Sequence, residues 1–236
     1  MKTTDANSAN GRPRPAVLTD FDDTAATQNV AELLLNRFGD PDWTVVRQRF
    51  RDGHLNLKEY QEITFRNIQA DRATMQAYVK EHANLRPYFR EMWGFCQTNE
   101  IPMAVVSQGL DFYIQALLDR EGLGRVPVYA VNTDFQDGEI SYHYDYTYPG
   151  KESEGNSKGF VVKSFQDQGC HVFFAGDGRS DLEAARVADV VFAHSTLAKF
   201  CDDEMIAYNH FEDFGAMLVS VQRFSRDGHE TGGMAW

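Results

Sequence analysis

The sequence predicts an α/β fold: a Rossmann-like parallel sheet core with an inserted all-helical segment and a β-hairpin. Three observations predict it. Four short apolar runs read as buried strands, and helical patterns separate them. About eighty residues lie between the first run and the second, where a simple crossover needs roughly a dozen. A two-residue turn signal, Asp137-Gly138, sits inside a stretch that alternates with period two.

The first run is Ala16-Val17-Leu18-Thr19, and its lack of polar alternation suits a strand covered on both faces. After it come Val30, Leu33, Leu34 and Phe38, then Trp43, Val46 and Phe50, then Leu57, Tyr60, Ile63 and Ile68, each set at helical spacing. Asn56 followed by Glu59 reads as a capping box opening the third helix. Residues 28–85 are therefore expected to form a helical cap over the strand ends, and residues 16–27 and 86–224 the core. Met103-Ala104-Val105-Val106 is the second run, and residues 128–148 form the hairpin. There Tyr142, Tyr144, Tyr146 and Tyr148 read as one aromatic face. His171 to Ala175 and Val190 to Ala193 complete the strands. Residues 1–15 and 225–236, polar and rich in Gly or small residues, read as a disordered N-terminal and a flexible C-terminal tail.

The chain has 236 residues, 42% hydrophobic, with a formal charge of -12. That charge argues against a nucleic-acid partner, whose phosphates are met by Lys and Arg. It also means that an acidic pocket needs a divalent cation before a phosphorylated molecule can enter. No run approaches the ~18 apolar residues of a membrane span, and no signal-peptide stretch precedes the first strand. Cys96, Cys170 and Cys201 are odd in number and widely spaced, so they read as reduced core thiols. The expectation is a cytoplasmic protein, a monomer or homodimer, with no membrane partner.

Four short motifs carry the chemistry. In an extended chain residues i and i+2 project to the same side, so Asp20 and Asp22 can share a pocket while Phe21 points into the core. Their mutual repulsion invites a cation, although an Asp at this place also commonly caps a helix. In Gly176-Asp177-Gly178 the glycines permit a tight turn that brings Asp177 beside the first motif as a metal ligand. Asp181, one helical turn on, can support the site or merely cap the helix. Ser107, with the amides of Gln108 and Gly109, makes a small anion cradle or an ordinary turn. Lys158 opens a helix, where its ammonium can reach a phosphate, and Lys151 and Lys163 lie close enough to compete.

With these residues assembled, the chain resembles the haloacid dehalogenase-like phosphatases over roughly residues 16–224. The inserted helices are placed as in the C1-type cap of the phosphoserine-phosphatase branch. Within it the chain is similar to the 2-hydroxy-3-keto-5-methylthiopentenyl-1-phosphate phosphatases, through Phe89-Arg90-Glu91, Glu100-Ile101-Pro102 and Gly109-Leu110-Asp111-Phe112. The resemblance implies a phosphomonoesterase working through an aspartyl-phosphate on Asp20, with Asp22 as acid and base. It implies Mg²⁺ held by Asp20, the Asp22 carbonyl and Asp177, phosphate held by Thr24, Ser107 and Lys158, and support from Asp181. Two departures stand out. Asp23 replaces the glycine of many relatives, and Thr27-Gln28-Asn29 stands where phosphoserine phosphatases carry a Glu.

The expected substrate is a small phosphorylated metabolite, with the methionine-salvage enol phosphate foremost. Phosphoserine, phosphocholine or phosphoethanolamine, pyrophosphate, transfer to another acceptor, and a non-catalytic binding protein of the same fold stay open. Trp43, His54, Glu59, Glu62 and Arg66 are the cap residues nominated to read the substrate.

Overall fold

The computed structural model describes residues 13–229. Its strands are β1 (Arg14–Thr19), β2 (Met103–Leu110), β3 (Val128–Gln136), β4 (Glu139–His143), β5 (Cys170–Gly176), β6 (Val190–Ala193) and β7 (Asn209–His210). They form one sheet in the order β4-β3-β2-β1-β5-β6-β7. Only the β3–β4 hairpin pairs antiparallel; the other pairings are parallel. The central strand β1 therefore has β2 on one side and β5 on the other. Successive connections leave it in opposite directions, and such a switch point opens a crevice at the carboxyl ends of the strands.

Alternation along β1 explains why its run is apolar throughout. Val17 joins a core cluster with Phe21, Phe173 and Met217, while Ala16 and Leu18 join a second with Val161, Val162 and Phe174. The helices α5 (Phe89–Thr98), α6 (Asp111–Arg120) and α10 (Phe214–His229) cover the first face, and α7 (Lys158–Gln166) and α8 (Leu182–Ala185) the second. Leu197 and Cys201 of α9 (Ser195–Asp203) close a third, smaller cluster around Val191 and Ala193.

Between β1 and α5 the chain forms α1 (Val30–Phe38), α2 (Trp43–Arg51), α3 (Leu57–Arg66) and α4 (Arg72–His82). Each start that is capped is capped by the residue type that chemistry favours. Asn29 accepts from the Glu32 amide, Asn56 and Glu59 make the reciprocal capping box, and Asp71 accepts from the Thr74 amide. The helix α4 buries Met75 and Val79 in the cluster that contains Phe21. Entry to and exit from the insertion are tied together by a bridge between Ala26 and Leu85.

Three expectations are corrected. Arg14 and Pro15 belong to β1, where they pair with Cys170 and His171, so the N-terminal tail expectation keeps only residues 1–12, which lie outside the described residues. At the other end α10 runs on to His229, because Met217, Val221 and Phe224 keep helical spacing against the core; residues 230–236 lie outside the described residues. The four tyrosines do not share one hairpin face, since β4 ends at His143. Only Tyr142 is in the strand. Tyr144 hydrogen-bonds Glu62, Tyr146 packs on Tyr129, and Tyr148 packs on Phe160. The three cysteines are buried free thiols, as expected.

Phe21 is fully buried between the two aspartates of the first motif. Phe21→Ala is expected to destabilise the protein by roughly 3–5 kcal/mol in urea unfolding. A loss under about 1 kcal/mol would mean that the motif does not hang on this core contact.

Candidate active site

Asp20 and Asp177 directly follow the carboxyl ends of β1 and β5, and Ser107 lies within the neighbouring β2, two residues past the end of its pairing with β1 at Val105. The Asp20 amide donates to the Ala175 carbonyl at 2.9 Å, which continues the β1–β5 pairing up to the site. Lys158 begins α7, capped by Ser157, whose side chain accepts from the Phe160 amide. Its Nζ lies 2.6 Å from Asp20 Oδ1 and 2.6 Å from Asp181 Oδ1, with the lysine side chain only 2% exposed. Lys163 is exposed and Lys151 pairs with exposed Glu154, so neither competes for this place.

Of the two readings its sequence left open, Asp181 takes the supporting one, since it starts α8 without a side-chain cap bond. Oδ1 accepts from Lys158, and Oδ2 accepts from the amides of Asp177 and Gly178 at 3.0 Å each, which folds the turn back on itself. A Cβ at Gly176 would lie 2.5 Å from Asp181 Cγ, so glycine is required there for close approach.

Carboxylate oxygens of Asp20, Asp177 and Asp181 all lie within 4.8 Å of one another. Burial, then the charges of Asp181 and Asp177, hold the Asp20 carboxyl well above its usual range, against the pull of Lys158. Burial and Asp181 push Asp177 up to about 7. Burial alone would lower the Lys158 ammonium, but Asp181 and Asp20 outweigh it and hold it above its ordinary value. Three carboxylates thus outnumber one ammonium in a place with little water. Oxygen donors of this hardness fit a divalent cation such as Mg²⁺, and since Asp181 is spent on Lys158 and two amides, Asp20 and Asp177 are the pair that could hold it.

Asp20 and Asp22 were expected to repel one another across one pocket. Instead each has its own partners. Asp22 Oδ1 accepts from the Val30 amide at 2.7 Å and the Ala31 amide at 3.3 Å, at the start of α1, and Oδ2 accepts from the Tyr113 hydroxyl at 2.9 Å. Burial pushes Asp22 up to about 6, opposed by these three donors. Just after Asp22 the backbone turns sharply, with Asp23 in the left-handed region at φ 59°. A non-glycine residue carries strain there. The guanidinium of Arg86 donates to the carbonyls of Asp23 and Thr24 and holds the turn.

Ser107, Gln108 and Gly109 form an irregular stretch of β2, where its register with β3 shifts between Val106 and Leu110. The Gly109 amide donates to Ser107 Oγ at 2.9 Å, so this amide is turned into the loop. Gln108 accepts through its carbonyl from Gln61 Nε2 of α3 and donates from its own Nε2 to the Asn156 carbonyl. Thr24 Oγ1 is buried without a hydrogen-bond partner among the described residues.

The nominated cap residues scatter. Trp43 is buried in the main core cluster, Glu59 is spent on the capping box, and His54 and Arg66 are exposed. Glu62 alone reaches across, accepting from Tyr144. Sequence reasoning missed Arg86, Tyr113 and Gln61. Arg86 is a lone cation at the exit of the insertion, a faint signal, while Tyr113 sits in an apolar helix run and Gln61 in a polar helix, where nothing marks them.

The chain is thus an α/β protein whose strand-end aspartates gather around a buried lysine. The family described as haloacid dehalogenase-like hydrolase matches residues 17–186, and the chain belongs to it. Among curated relatives, a 2-hydroxy-3-keto-5-methylthiopentenyl-1-phosphate phosphatase of Bacillus mycoides is 27% identical over 209 residues, covering 87% of this chain and 95% of that one. The fold is shared with a substrate-bound phosphoserine phosphatase at TM-score 0.65 and 14% identity, covering 89% of this chain and 99% of that one. A phospho-aspartyl intermediate analogue of phosphoserine phosphatase gives TM-score 0.61 and 14% identity, covering 86% and 95%.

Removing Lys158 leaves Asp20 and Asp181 buried without their counter-charge. Lys158→Ala is expected to cost roughly 3–5 kcal/mol in chelator-containing urea melts, and exposed Lys163→Ala under about 0.5 kcal/mol. Equal effects of the two would contradict the central place of Lys158.

Proposed function

We propose that this protein is a Mg²⁺-dependent phosphomonoesterase acting on a small phosphorylated metabolite through an aspartyl-phosphate on Asp20. The observation that carries it is the Asp20 carboxylate held 2.6 Å from buried Lys158, with Asp22 independently anchored beside it. Lys158 fixes one oxygen of Asp20 and lies where it also meets a phosphoryl oxygen. The other oxygen attacks phosphorus in line. Asp22 gives a proton to the leaving oxygen and later takes one from the water that hydrolyses the intermediate. Ser107 and the unpartnered Thr24 hydroxyl hold phosphoryl oxygens, and Asp181 holds Lys158 in place. When bound by Asp20, the Asp22 carbonyl and Asp177, Mg²⁺ supplies positive charge that offsets the phosphoryl oxygens.

Residues 28–85 act as a cap that closes over the strand ends and chooses the leaving group. Three bonds from α3 or its cap to the core loops support this: Gln61 to the Gln108 carbonyl, Tyr144 to Glu62, and Asn56 to the Ser153 carbonyl at 3.5 Å. The substrate read by this cap is the enol phosphate 2-hydroxy-3-keto-5-methylthiopentenyl-1-phosphate, for which the Bacillus mycoides relative is named. Phosphoserine is disfavoured because Thr27-Gln28-Asn29 stands at the place of the recognition Glu, and Asn29 is spent capping α1.

The test is turnover of this enol phosphate, phosphoserine, phosphocholine, pyrophosphate and p-nitrophenyl phosphate with Mg²⁺. The enol phosphate is expected to give the highest kcat/KM, and Asp20→Asn is expected to abolish every activity. Undiminished turnover by Asp20→Asn would sink the nucleophile assignment, and preference for phosphoserine would sink the substrate assignment.

A further inference from the structure

Tyr113 is a fully buried side chain of α6, its ring packed 6.1 Å from Phe21 and edge-on to Phe112 at 5.5 Å. Its hydroxyl donates to Asp22 Oδ2 at 2.9 Å. Any buried tyrosine wants a partner for its hydroxyl. Here, however, a second element is shaped around the contact. A Cβ at Gly109 would overlap the Tyr113 hydroxyl and sit 3.0 Å from Asp22 Oδ2, so the strand-end loop has room for this hydrogen bond only because residue 109 is glycine. Three separate stretches, α6, the end of β2 and the first motif, meet at one oxygen of Asp22.

The two oxygens of Asp22 are not equivalent. Oδ1 accepts from both the Val30 and Ala31 amides, and an oxygen of a carboxylate offers about two lone-pair sites, so Oδ1 is filled. Among the described residues Oδ2 accepts from Tyr113 alone, which leaves one site open. We infer that Tyr113 is a positioning residue that aims Asp22 so that Oδ2 carries the transferable proton, an inference that rests on the phosphatase reading above.

In the first half-reaction the Oδ2–H bond breaks and a bond from that hydrogen to the leaving oxygen forms. The phosphorus–leaving-oxygen bond breaks as the Asp20–phosphorus bond forms. The electron pair of the broken O–H bond stays on Oδ2, where the Tyr113 hydroxyl already points. A donor aimed beforehand at the place where charge develops needs no reorganisation. In the second half-reaction water's oxygen bonds to phosphorus, the Asp20–phosphorus bond breaks, and Oδ2 takes a proton from that water. Tyr113 touches neither phosphate nor leaving group and acts only through Asp22.

The test is Tyr113→Phe, which keeps the packed ring and removes the hydroxyl. Single-turnover rates of leaving-group release are compared for p-nitrophenyl phosphate, whose phenolate leaves with little help, and glycerol 2-phosphate, whose alkoxide needs a proton. The rate is expected to fall about ten- to a hundredfold more for glycerol 2-phosphate than for p-nitrophenyl phosphate, the worth of one hydrogen bond to a charged group, with KM little changed. In an Asp22→Asn background the same change is expected to cost nothing further. Equal losses on both substrates, or a full additional loss without the Asp22 carboxyl, would overturn the positioning role. Failure of wild-type protein to hydrolyse either ester would overturn the phosphatase reading itself, a separate outcome.

Discussion

The ion triad of Asp20, Lys158 and Asp181 is the constraint on which the rest of the site depends. Each charge is buried, and a buried charge is tolerated only when it is paired and hydrogen-bonded. Lys158 pairs with two carboxylates at 2.6 Å, and Asp181 passes its second oxygen to two backbone amides. Through that chain of bonds the start of α7, the end of β1 and the turn after β5 are held in one geometry. Gly176 is the packing consequence, because only a residue without Cβ lets Asp181 come in so close. The triad is still over-supplied with negative charge. That surplus leaves carboxylate oxygens that could hold a divalent cation beside the lysine.

A second linkage joins the chemistry to the inserted helices. The amides that hold Asp22 Oδ1 belong to Val30 and Ala31, the first residues of α1. The helix that opens the insertion therefore also anchors a carboxylate of the first motif. At the other end of the insertion, Arg86 braces the carbonyls of Asp23 and Thr24, and the Ala26–Leu85 bridge ties exit to entry. Asp23 can keep its left-handed conformation because its carbonyl is held by a cation. Where the insertion starts and stops is thus where the Asp22 carboxylate is fixed. Gln61 and Glu62 on α3 touch the strand-end loops from the far side.

Much of this was legible in the sequence because it depends on local rules. The strand runs, the Asp137-Gly138 turn and the Asn56–Glu59 box each follow from a few adjacent residues, and all appear where expected. Lys158 could be preferred to Lys151 and Lys163 because it opens a helix. What stayed hidden depends on contacts between distant segments. Tyr113 and Asp22 lie ninety-one residues apart and Arg86 and Thr24 sixty-two, and neither pairing leaves a periodic or compositional trace. The tyrosine series misled for a related reason. Strict alternation suggested one face, but the strand stops at His143 and each later ring finds its own partner. The length of α10 was underestimated because Ser225 to His229 are polar, while the helix is carried by apolar residues one and two turns earlier.

The central claim is that Asp20 becomes covalently phosphorylated. The direct measurement is peptide mapping by mass spectrometry of protein mixed with substrate and Mg²⁺ and quenched in acid within one turnover. The account predicts one phosphoryl group on the peptide containing Asp20, absent in Asp20→Asn and accumulating in Asp22→Asn when the leaving group needs no proton. Phosphorylation of another residue would contradict it, as would turnover in isotopically labelled water with no phosphorylated peptide at any quench time.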